Sequence, residues 1–236
     1  KNMQGKVVVE KDTLLETKAT DPEGKLTFDS DLWHGHYYVK EEQHLPGYLP
    51  NDEIWEIDAT YEDQNLPAIF LEKEVENQPT ESYFTKTDIV TGEPVEGAKL
   101  QILDEEGTVV REWITTKEEH LEYALPAGNY ILHEELPPLE DGYVSAEDVS
   151  FEVKEDGTIT KVEMKDDFSK VDISKTDITG DTELVGVKLQ VLNSKEEVLD
   201  EWISDGTEHR IEYLPVGEEL TLRETQTISG YTLAED

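Results

Sequence analysis

Cysteine is absent from the 236-residue chain, so neither disulfide bonds nor thiolate metal sites are available. Small extracellular domains usually need a covalent staple and intracellular ones do not, so the missing cysteine alone does not choose the compartment. The six histidines are scattered without metal-ligand spacing, and the acid-rich turns lack the spacing of an EF-hand. We therefore expect no metal and no cofactor.

Positive charge is scarce as well. The chain carries 20 Lys and Arg residues against 57 Asp and Glu residues, for a formal net charge of -37 at pH 7. Nucleic acids and anionic membrane surfaces attract positive charge, so neither is expected as a partner. No apolar run is long enough to span a membrane, and the first residues are not those of a signal peptide.

Motifs of enzymes are missing too. There is no nucleophile elbow, phosphate loop or zinc motif, and carboxylates are so abundant that a pair of them does not indicate a glycosidase. Trp113 and Trp202 occupy matching positions and are suited to stacking on a sugar, but a role in the core or at a domain seam is favoured. We expect no enzymatic activity other than a single reaction within the chain itself.

What the chain does contain is a tandem repeat with a spacing of 89 residues. Phe84–Asp88 returns as Ile173–Asp177, and further matches follow at the same spacing: Gly97–Gln101 with Gly186–Gln190, Glu112–Ile114 with Glu201–Ile203, His120 with His209, and Leu125-Pro126 with Leu214-Pro215. Gly35–Glu41 is a more distant copy of Gly128–Glu134. The expected domains are 1–79, 80–168 and 169–236, with the opening strand missing from the first repeat and the closing strands missing from the third.

The local pattern is all-β, with short alternating runs separated by turn residues. The predicted strands are Lys6–Val9, Leu26–Phe28, Tyr37–Glu41, Lys99–Leu103, Val109–Ile114, Asn129–Glu134, Ser150–Lys154 and Thr158–Met164. Residues 51–67 are expected to hold a short helix or a long loop. About seven short strands in each repeat predict small immunoglobulin-like β-sandwiches, and the short linkers predict an extended array of them.

Three polar side chains of the middle repeat break the alternation. Because strand side chains alternate between faces, Lys86 shares the core face with Phe84. Glu134 shares a face with Tyr130 and Leu132, and Asp166 shares one with Val162 and Met164. The corresponding residues are Glu41 and Asn77 in the first repeat, and Lys175 and Glu224 in the third, where Lys175 is expected to face the core with Val171 and Ile173.

Two interpretations of this cluster are open. The simpler one is a buried, hydrogen-bonded ion pair. The other is a condensation between the lysine amine and the Asp or Asn side chain, which gives an isopeptide bond. Burial favours the neutral forms of amines and carboxyls, so the amine becomes a nucleophile and the acid can be attacked, while a nearby Glu shuttles protons.

The repeats resemble the Cna B-type, or SpaA-like, prealbumin-like domains of Gram-positive surface adhesins and pilins. The resemblance rests on five motifs in chain order: Lys86-Thr87-Asp88, Thr91-Gly92-Glu93, Gly97-Ala98, the Gly-x-Tyr-x-Leu-x-Glu run that ends at Glu134, and proline before Gly142-Tyr143. It implies an isopeptide between Lys86 and Asp166 promoted by Glu134. It also implies that Glu41 and Asn77 lack their lysine, and that Lys175 and Glu224 lack their acceptor. The third repeat departs from the pattern at Leu220 and at Thr227-Ile228-Ser229.

The function implied by this resemblance is that of a stalk or spacer in a secreted, cell-wall-associated adhesin or pilin-like protein. Neighbouring repeats of the same chain are the expected partners, with host extracellular matrix or carbohydrate bound through other regions. Two alternatives stay open: a carbohydrate- or host-protein-binding module, which should place an aromatic cluster in one repeat only, and an accessory region of an enzyme.

Overall fold

The computed structural model describes residues 9–30, 32–60, 71–180 and 182–236. The chain divides into two compact units, one built from 1–43 and 51–76 and the other from 44–50 and 77–236. The predicted strand Lys6–Val9 lies, except for Val9, outside the described residues.

The first unit contains an antiparallel pair, β1 (Gly35–Lys40) and β2 (Ile54–Ala59). β2 corrects the expectation of a helix or loop over 51–67 for its described part, residues 51–60; residues 61–67 lie outside the described residues. The residues of β2 alternate in burial around Trp55, which is 7% exposed, and a period of two defines a strand despite the polar composition. The strand predicted at Leu26–Phe28 is wrong. Both of these residues are exposed, so the run has no core face that would hold it in a sheet.

The middle repeat is a sandwich of two sheets. In one sheet β3 (Glu81–Asp88) lies between β6 (His120–Tyr123), which is antiparallel to it, and β9 (Thr160–Asp166), which is parallel to it. The other sheet is antiparallel, and its strand order is β5 (Val109–Ile114), β4 (Lys99–Leu103), β7 (Gly128–Leu136) and β8 (Val149–Val153). Most of these strands match the predicted runs to within two residues, which confirms the all-β expectation for this part of the chain.

The core of the middle repeat lies between its two sheets. Alternate residues of each strand point inward, and those packed together are Phe84, Ala98, Leu100, Ile102, Leu125, Tyr130, Leu132, Val153, Val162 and Met164. Phe84 has ring contacts with Trp113 and Phe151, whose centroids lie 5.3 and 5.4 Å away. Trp113 is therefore a core-packing residue, as predicted.

The third repeat has a smaller set of strands. β10 (Lys170–Ile173) pairs with β13 (His209–Glu212), and β11 (Val185–Leu192) lies between β12 (Val198–Asp205) and β14 (Thr221–Gln226). Within the described residues, β10 has no parallel neighbour of the kind that β9 provides for β3. The expected core-facing alternation is wrong for Val171, which is 38% exposed. Ile173 packs against the core of the repeat, and Lys175 is partly buried although β10 ends before it.

The repeats are joined by backbone contacts that occur in the same form at two seams. The first seam consists of Gly47, Thr80 and Ala124, and the second of Gly142, Ser169 and Tyr213. The Thr80 amide donates to the Gly47 carbonyl (2.9 Å), and the Ala124 amide donates to the Thr80 carbonyl (3.0 Å). Ser169 and Tyr213 repeat both bonds at the second seam, at 2.8 and 3.1 Å.

Each seam also requires a glycine. Gly142 has φ of +82°, and a Cβ at this position would lie 2.4 Å from the backbone carbonyl carbon of Tyr213. Gly47 meets Ala124 in the same way, with the nearest backbone atom 2.3 Å away. The adjoining backbones therefore pack directly against each other, with no space for a side chain between them.

Replacing Gly142 by alanine should open the second seam. Gly92→Ala is the matched control, because Gly92 also has positive φ (+72°) but open space around its Cβ position. Both variants carry the left-handed backbone penalty of about 1–2 kcal/mol. Gly142→Ala should lose about 1–3 kcal/mol more, because the Tyr213 backbone cannot rotate out of the way. Denaturant unfolding of the full chain measures both; equal losses would contradict this account of the seam.

Candidate functional site: a buried Lys, Glu and Asp cluster

β3 brings Lys86 into the core of the middle repeat. Its residues alternate strictly between partly buried and buried positions, and the buried ones are Ser82, Phe84, Lys86 and Asp88. Lys86 is 4% exposed and its side chain only 1%. The parity prediction for this lysine is therefore correct: its amine is almost entirely removed from water.

Glu134 approaches the same point from the opposite sheet. It follows Tyr130 and Leu132 on the inward face of β7, and its side chain is fully buried. One of its oxygens, Oε2, accepts a hydrogen bond from the Ala146 amide at 2.7 Å. This backbone donor, which the alternation pattern does not indicate, holds the carboxyl in place and leaves Oε1 directed toward Lys86.

Asp166 is the last residue of β9, on the same inward face as Val162 and Met164. Because β9 runs parallel to β3, Lys86 pairs in register with Met164, and Asp166 pairs with Asp88. The Ile89 amide donates to the Asp166 backbone carbonyl at 2.9 Å. The register therefore places the acceptor carboxyl two residues along the sheet from the lysine, within reach of its long side chain.

The three side chains meet in the interior. Lys86 Nζ lies 2.9 Å from Glu134 Oε1 and is in direct contact with Asp166 Oδ1, and both carboxyl side chains are fully buried. Lys86 Nζ, Glu134 Oε1 and both Asp166 oxygens make no regular hydrogen bond to any part of the chain that the structure describes. The cluster is thus a close contact of three ionisable groups rather than a well-satisfied salt bridge.

Burial sets the protonation of Asp166. Desolvation is the largest influence on this carboxyl and raises its pKa from 3.8 to about 6; Lys86 opposes the rise, and Glu134 adds to it. The environment therefore favours the uncharged carboxylic acid more than water does.

The third repeat contains part of the same arrangement. Lys175 Nζ lies 3.1 Å from Glu224 Oε2, and the Ala234 amide donates to that carboxyl just as Ala146 does to Glu134. Burial tends to raise the pKa of Glu224, but the nearby ammonium and the hydrogen bonds outweigh it, and the pKa is lowered. Lys175 is less enclosed than Lys86, with 22% of its side chain exposed.

The first repeat differs from the expectation. Glu41 directly follows β1 and is partly buried, and Asn77 is also partly buried. No strand runs through residues 71–78, and Leu71 and Val75 are 50% and 41% exposed. The sequence pattern puts Asn77 on one inward face with Leu71 and Val75. That expectation is wrong for Leu71 and Val75, which are exposed, whereas Asn77 itself is partly buried.

A shallow cleft of about 90 Å³ lies beside the cluster, and Lys86, Trp113, Thr115 and His120 are among its lining residues. The His120 and Trp113 rings are stacked, with centroids 4.1 Å apart and planes at 7°. Trp202 and His209 repeat the stack in the third repeat at 4.3 Å. The histidines lie at the starts of β6 and β13 and cover the tryptophans. Both indoles are therefore occupied by protein contacts.

Comparison with known families identifies the repeats. The model of the SpaA prealbumin-like fold domain matches residues 1–72, 81–167 and 169–236. The chain therefore belongs to this family, and the predicted recognition and fold class are confirmed. A comparison with curated proteins yields no match.

Three solved structures can be set beside this chain as similar proteins. The Bacillus anthracis TIE protein is 28% identical with a TM-score of 0.51; the match covers 86% of this chain and 38% of that one. A streptococcal ancillary pilin is 20% identical over 86% of this chain and 70% of its own, with a TM-score of 0.41. The shaft pilin SpaA of Lactobacillus rhamnosus GG is 16% identical over 66% of this chain and 91% of its own, with a TM-score of 0.33. The present chain thus spans well under half of the TIE protein chain that it matches.

Membrane-spanning helices and metal-binding clusters can both be looked for in the described residues. Across the described ranges, no helix has the length and apolar character needed to cross a bilayer. Within the same ranges, no three His, Cys, Asp or Glu side chains converge in a way that could hold a metal ion.

Removing Lys86 should make the free energy of unfolding depend on pH through protonation of Asp166. Beside the lysine the Asp166 pKa is raised from 3.8 to about 6, and in Lys86→Ala the ammonium that opposes this rise is gone, so the pKa is raised further. The native state then binds the proton more tightly, so this contribution to stability is fully present below about pH 4 and is lost as pH rises through 6 and above. Lys165→Ala removes an exposed lysine of β9 and is the matched control. Denaturant unfolding across this pH range should show the extra downward slope in Lys86→Ala alone; parallel pH profiles would contradict the assignment.

Proposed function

We propose that the chain is a structural segment of a cell-surface, pilus- or stalk-like protein of a Gram-positive bacterium, and that its middle repeat is closed by an isopeptide bond between Lys86 and Asp166. One observation carries the proposal: the Lys86 amine, the Asp166 carboxyl and the Glu134 carboxyl converge in a core closed to solvent. Membership of the SpaA family and the likeness to proteins named as pilins support the location and the structural role.

The reaction balances without a co-reactant. Lys86 gives up a proton within the cluster, its Nζ attacks Asp166 Cγ, and a C–N bond forms. After the attack the nitrogen gives up a second proton, the Cγ–O bond to one carboxyl oxygen breaks, and that oxygen leaves with the two protons as water. The ammonium charge of Lys86 and the carboxylate charge of Asp166 cancel in the neutral amide, so this pair leaves no charge in the core.

Glu134 acts as the proton carrier. Its Oε1 lies 2.9 Å from the attacking nitrogen, while Oε2 is held by the Ala146 amide. A carboxyl fixed at this distance can take a proton from the amine and return it to the departing oxygen. In its protonated form it also donates a hydrogen bond to the Asp166 carboxyl and stabilises the negative charge that develops there.

The raised pKa of Asp166 suits the same step. A carboxylic acid is attacked by an amine far more readily than a carboxylate, and burial favours the acid here. The irregular contacts of the cluster also agree with a reaction site, because a buried ion pair is stable only when its remaining hydrogen bonds are satisfied.

The bond would change how the middle repeat carries force. β3 opens the repeat and β9 closes it, and the two strands are parallel neighbours. Tension applied to the two ends of the repeat then passes through the amide rather than through the hydrogen bonds between the strands. By analogy with disulfide loop closure, tying residues 86 and 166 together would stabilise the fold by roughly 4–5 kcal/mol.

The same chemistry would be incomplete in the other two repeats. In the third, Lys175 and Glu224 are in contact, but the described residues offer no Asp or Asn in the position of Asp166. In the first, Glu41 and Asn77 are the proposed counterparts of the acid and the acceptor. A binding role is less well supported, because Trp113 and Trp202, the best candidates for a sugar platform, are covered by histidine rings.

The intact mass of the full chain tests the proposal. We expect it to fall short of the sequence mass by one water molecule and no more, because within the described residues the three groups meet in the middle repeat alone. Glu134→Ala should restore the full mass, since the proton carrier is lost.

Glu135→Ala is the matched control, because Glu135 is the next residue of β7 but is exposed. This variant should keep the mass deficit. A well-folded wild-type chain of unaltered mass would overturn the proposed bond and leave the cluster as a buried ion pair.

A further inference from the structure

The second seam contains a side-chain contact for which the first seam has no equivalent. Ala124 of the first seam corresponds to Tyr213 of the second, and both have positive φ (55° and 61°) within the same backbone hydrogen bonds. The tyrosine is therefore not needed for the backbone geometry of a seam. The reason for a tyrosine at this position must lie in the contacts that its ring and hydroxyl make.

The Tyr213 ring fills the space between the two repeats. It stacks on Phe168, with centroids 4.0 Å apart and planes at 21°, and meets Tyr143 edge-on at 5.8 Å. Phe168 is 4% exposed, and the Lys170 ammonium lies 4.5 Å from the centroid of its ring. These contacts hold the ring of Tyr213 in one orientation.

That orientation directs the Tyr213 hydroxyl at the end of β3. The hydroxyl donates to Asp88 Oδ2 at 2.8 Å, across 125 positions of sequence. Asp88 is 2% exposed, and its other oxygen, Oδ1, accepts from the Val90 and Thr91 amides at 2.8 Å each. The third repeat thus supplies a donor to a buried carboxylate of the middle repeat.

Asp88 lies directly beside the reacting groups. It is two residues beyond Lys86 on the same face of β3 and pairs in register with Asp166. The next residue, Ile89, donates its amide to the Asp166 carbonyl. The conformation of Asp88 therefore controls the point at which the ends of β3 and β9 are joined.

The charges at the seam agree with this geometry. Burial and the neighbouring Asp88 carboxylate raise the pKa of Tyr213 to about 12, and the same two causes raise that of Tyr143. Burial acts to raise the pKa of Asp88, but hydrogen bonds from Thr91, Tyr213 and Val90 outweigh it and the pKa is lowered. At neutral pH the contact is therefore a phenol donating to a carboxylate, which is a charge-assisted hydrogen bond.

We propose that Tyr213 is a positioning residue for the Lys86–Asp166 cluster: when the third repeat docks, its hydroxyl holds Asp88 and so keeps the ends of β3 and β9 in register. Docking of one repeat thereby organises the core site of the repeat before it. As far as the covalent step is concerned, this role rests on the isopeptide proposed above.

Tyr213→Phe in the full chain tests the role, because it keeps the ring contacts and removes only the hydroxyl. Tyr123→Phe is the matched control, since Tyr123 is 53% exposed at the end of β6. The first readout is hydrogen exchange of the Ile89 amide measured by NMR. Exchange should accelerate on the order of tenfold in Tyr213→Phe, as expected for the loss of a hydrogen bond to a charged group, and should not change in the control.

The second readout is the loss of water, followed by intact mass at intervals after cell-free synthesis. Wild type and control should reach the full deficit together, and Tyr213→Phe on the order of tenfold later. Unchanged Ile89 exchange, or an unchanged rate of water loss, would overturn the positioning role. If the wild type never loses water, the isopeptide fails instead, and Ile89 exchange alone decides whether Tyr213 positions the strand ends.

Discussion

The fold of the middle repeat depends on how three ionisable groups are accommodated in its core. Removing an ammonium and two carboxyls from water costs several kcal/mol per charge, and a buried ion pair recovers this only with good hydrogen-bond geometry. The cluster of Lys86, Glu134 and Asp166 is fully enclosed but lacks that geometry. The proposed amide would remove the charges of Lys86 and Asp166 and leave the Glu134 carboxyl held by the Ala146 amide.

The position of the cluster in the sheet determines how the proposed bond would carry tension through the middle repeat. The chain enters the middle repeat just after Thr80 and leaves it at Ser169, and each of these residues belongs to a seam made of backbone hydrogen bonds. Lys86 lies a few residues beyond the first seam and Asp166 a few residues before the second. The path from seam to seam through the amide is therefore short and bypasses most of the sandwich. The proposed bond would give this cysteine-free chain the covalent staple that small extracellular domains usually obtain from disulfides.

Alternation along the sequence was sufficient to predict the cluster in the middle repeat. The period of two depends only on a strand having one buried face, and β3, β7 and β9 all have one. The same rule was wrong for Val171, whose strand within the described residues pairs with β13 alone, and for Leu71 and Val75, which lie outside any described strand. It also missed β2, in which polar composition hides the period of two around Trp55.

The sequence pattern does not predict the contacts between repeats. The repeat alignment places Tyr213 opposite Ala124, but only the packing of two repeats shows that its hydroxyl reaches Asp88. The need for glycine at Gly142 likewise comes from the approach of the Tyr213 backbone rather than from any local turn preference. Local pattern thus accounts for the strands and the inward residues of the middle repeat, and tertiary packing accounts for the seams.

Stretching single molecules of the full chain would test most directly whether β3 and β9 are covalently joined. Lys86 and Asp166 are 80 positions apart, so an unlinked middle repeat lengthens by up to about 270 Å when it unfolds under load. We predict that this step is absent from the wild type and present in Lys86→Ala. A wild-type chain that extends by the same step as the variant would contradict the account.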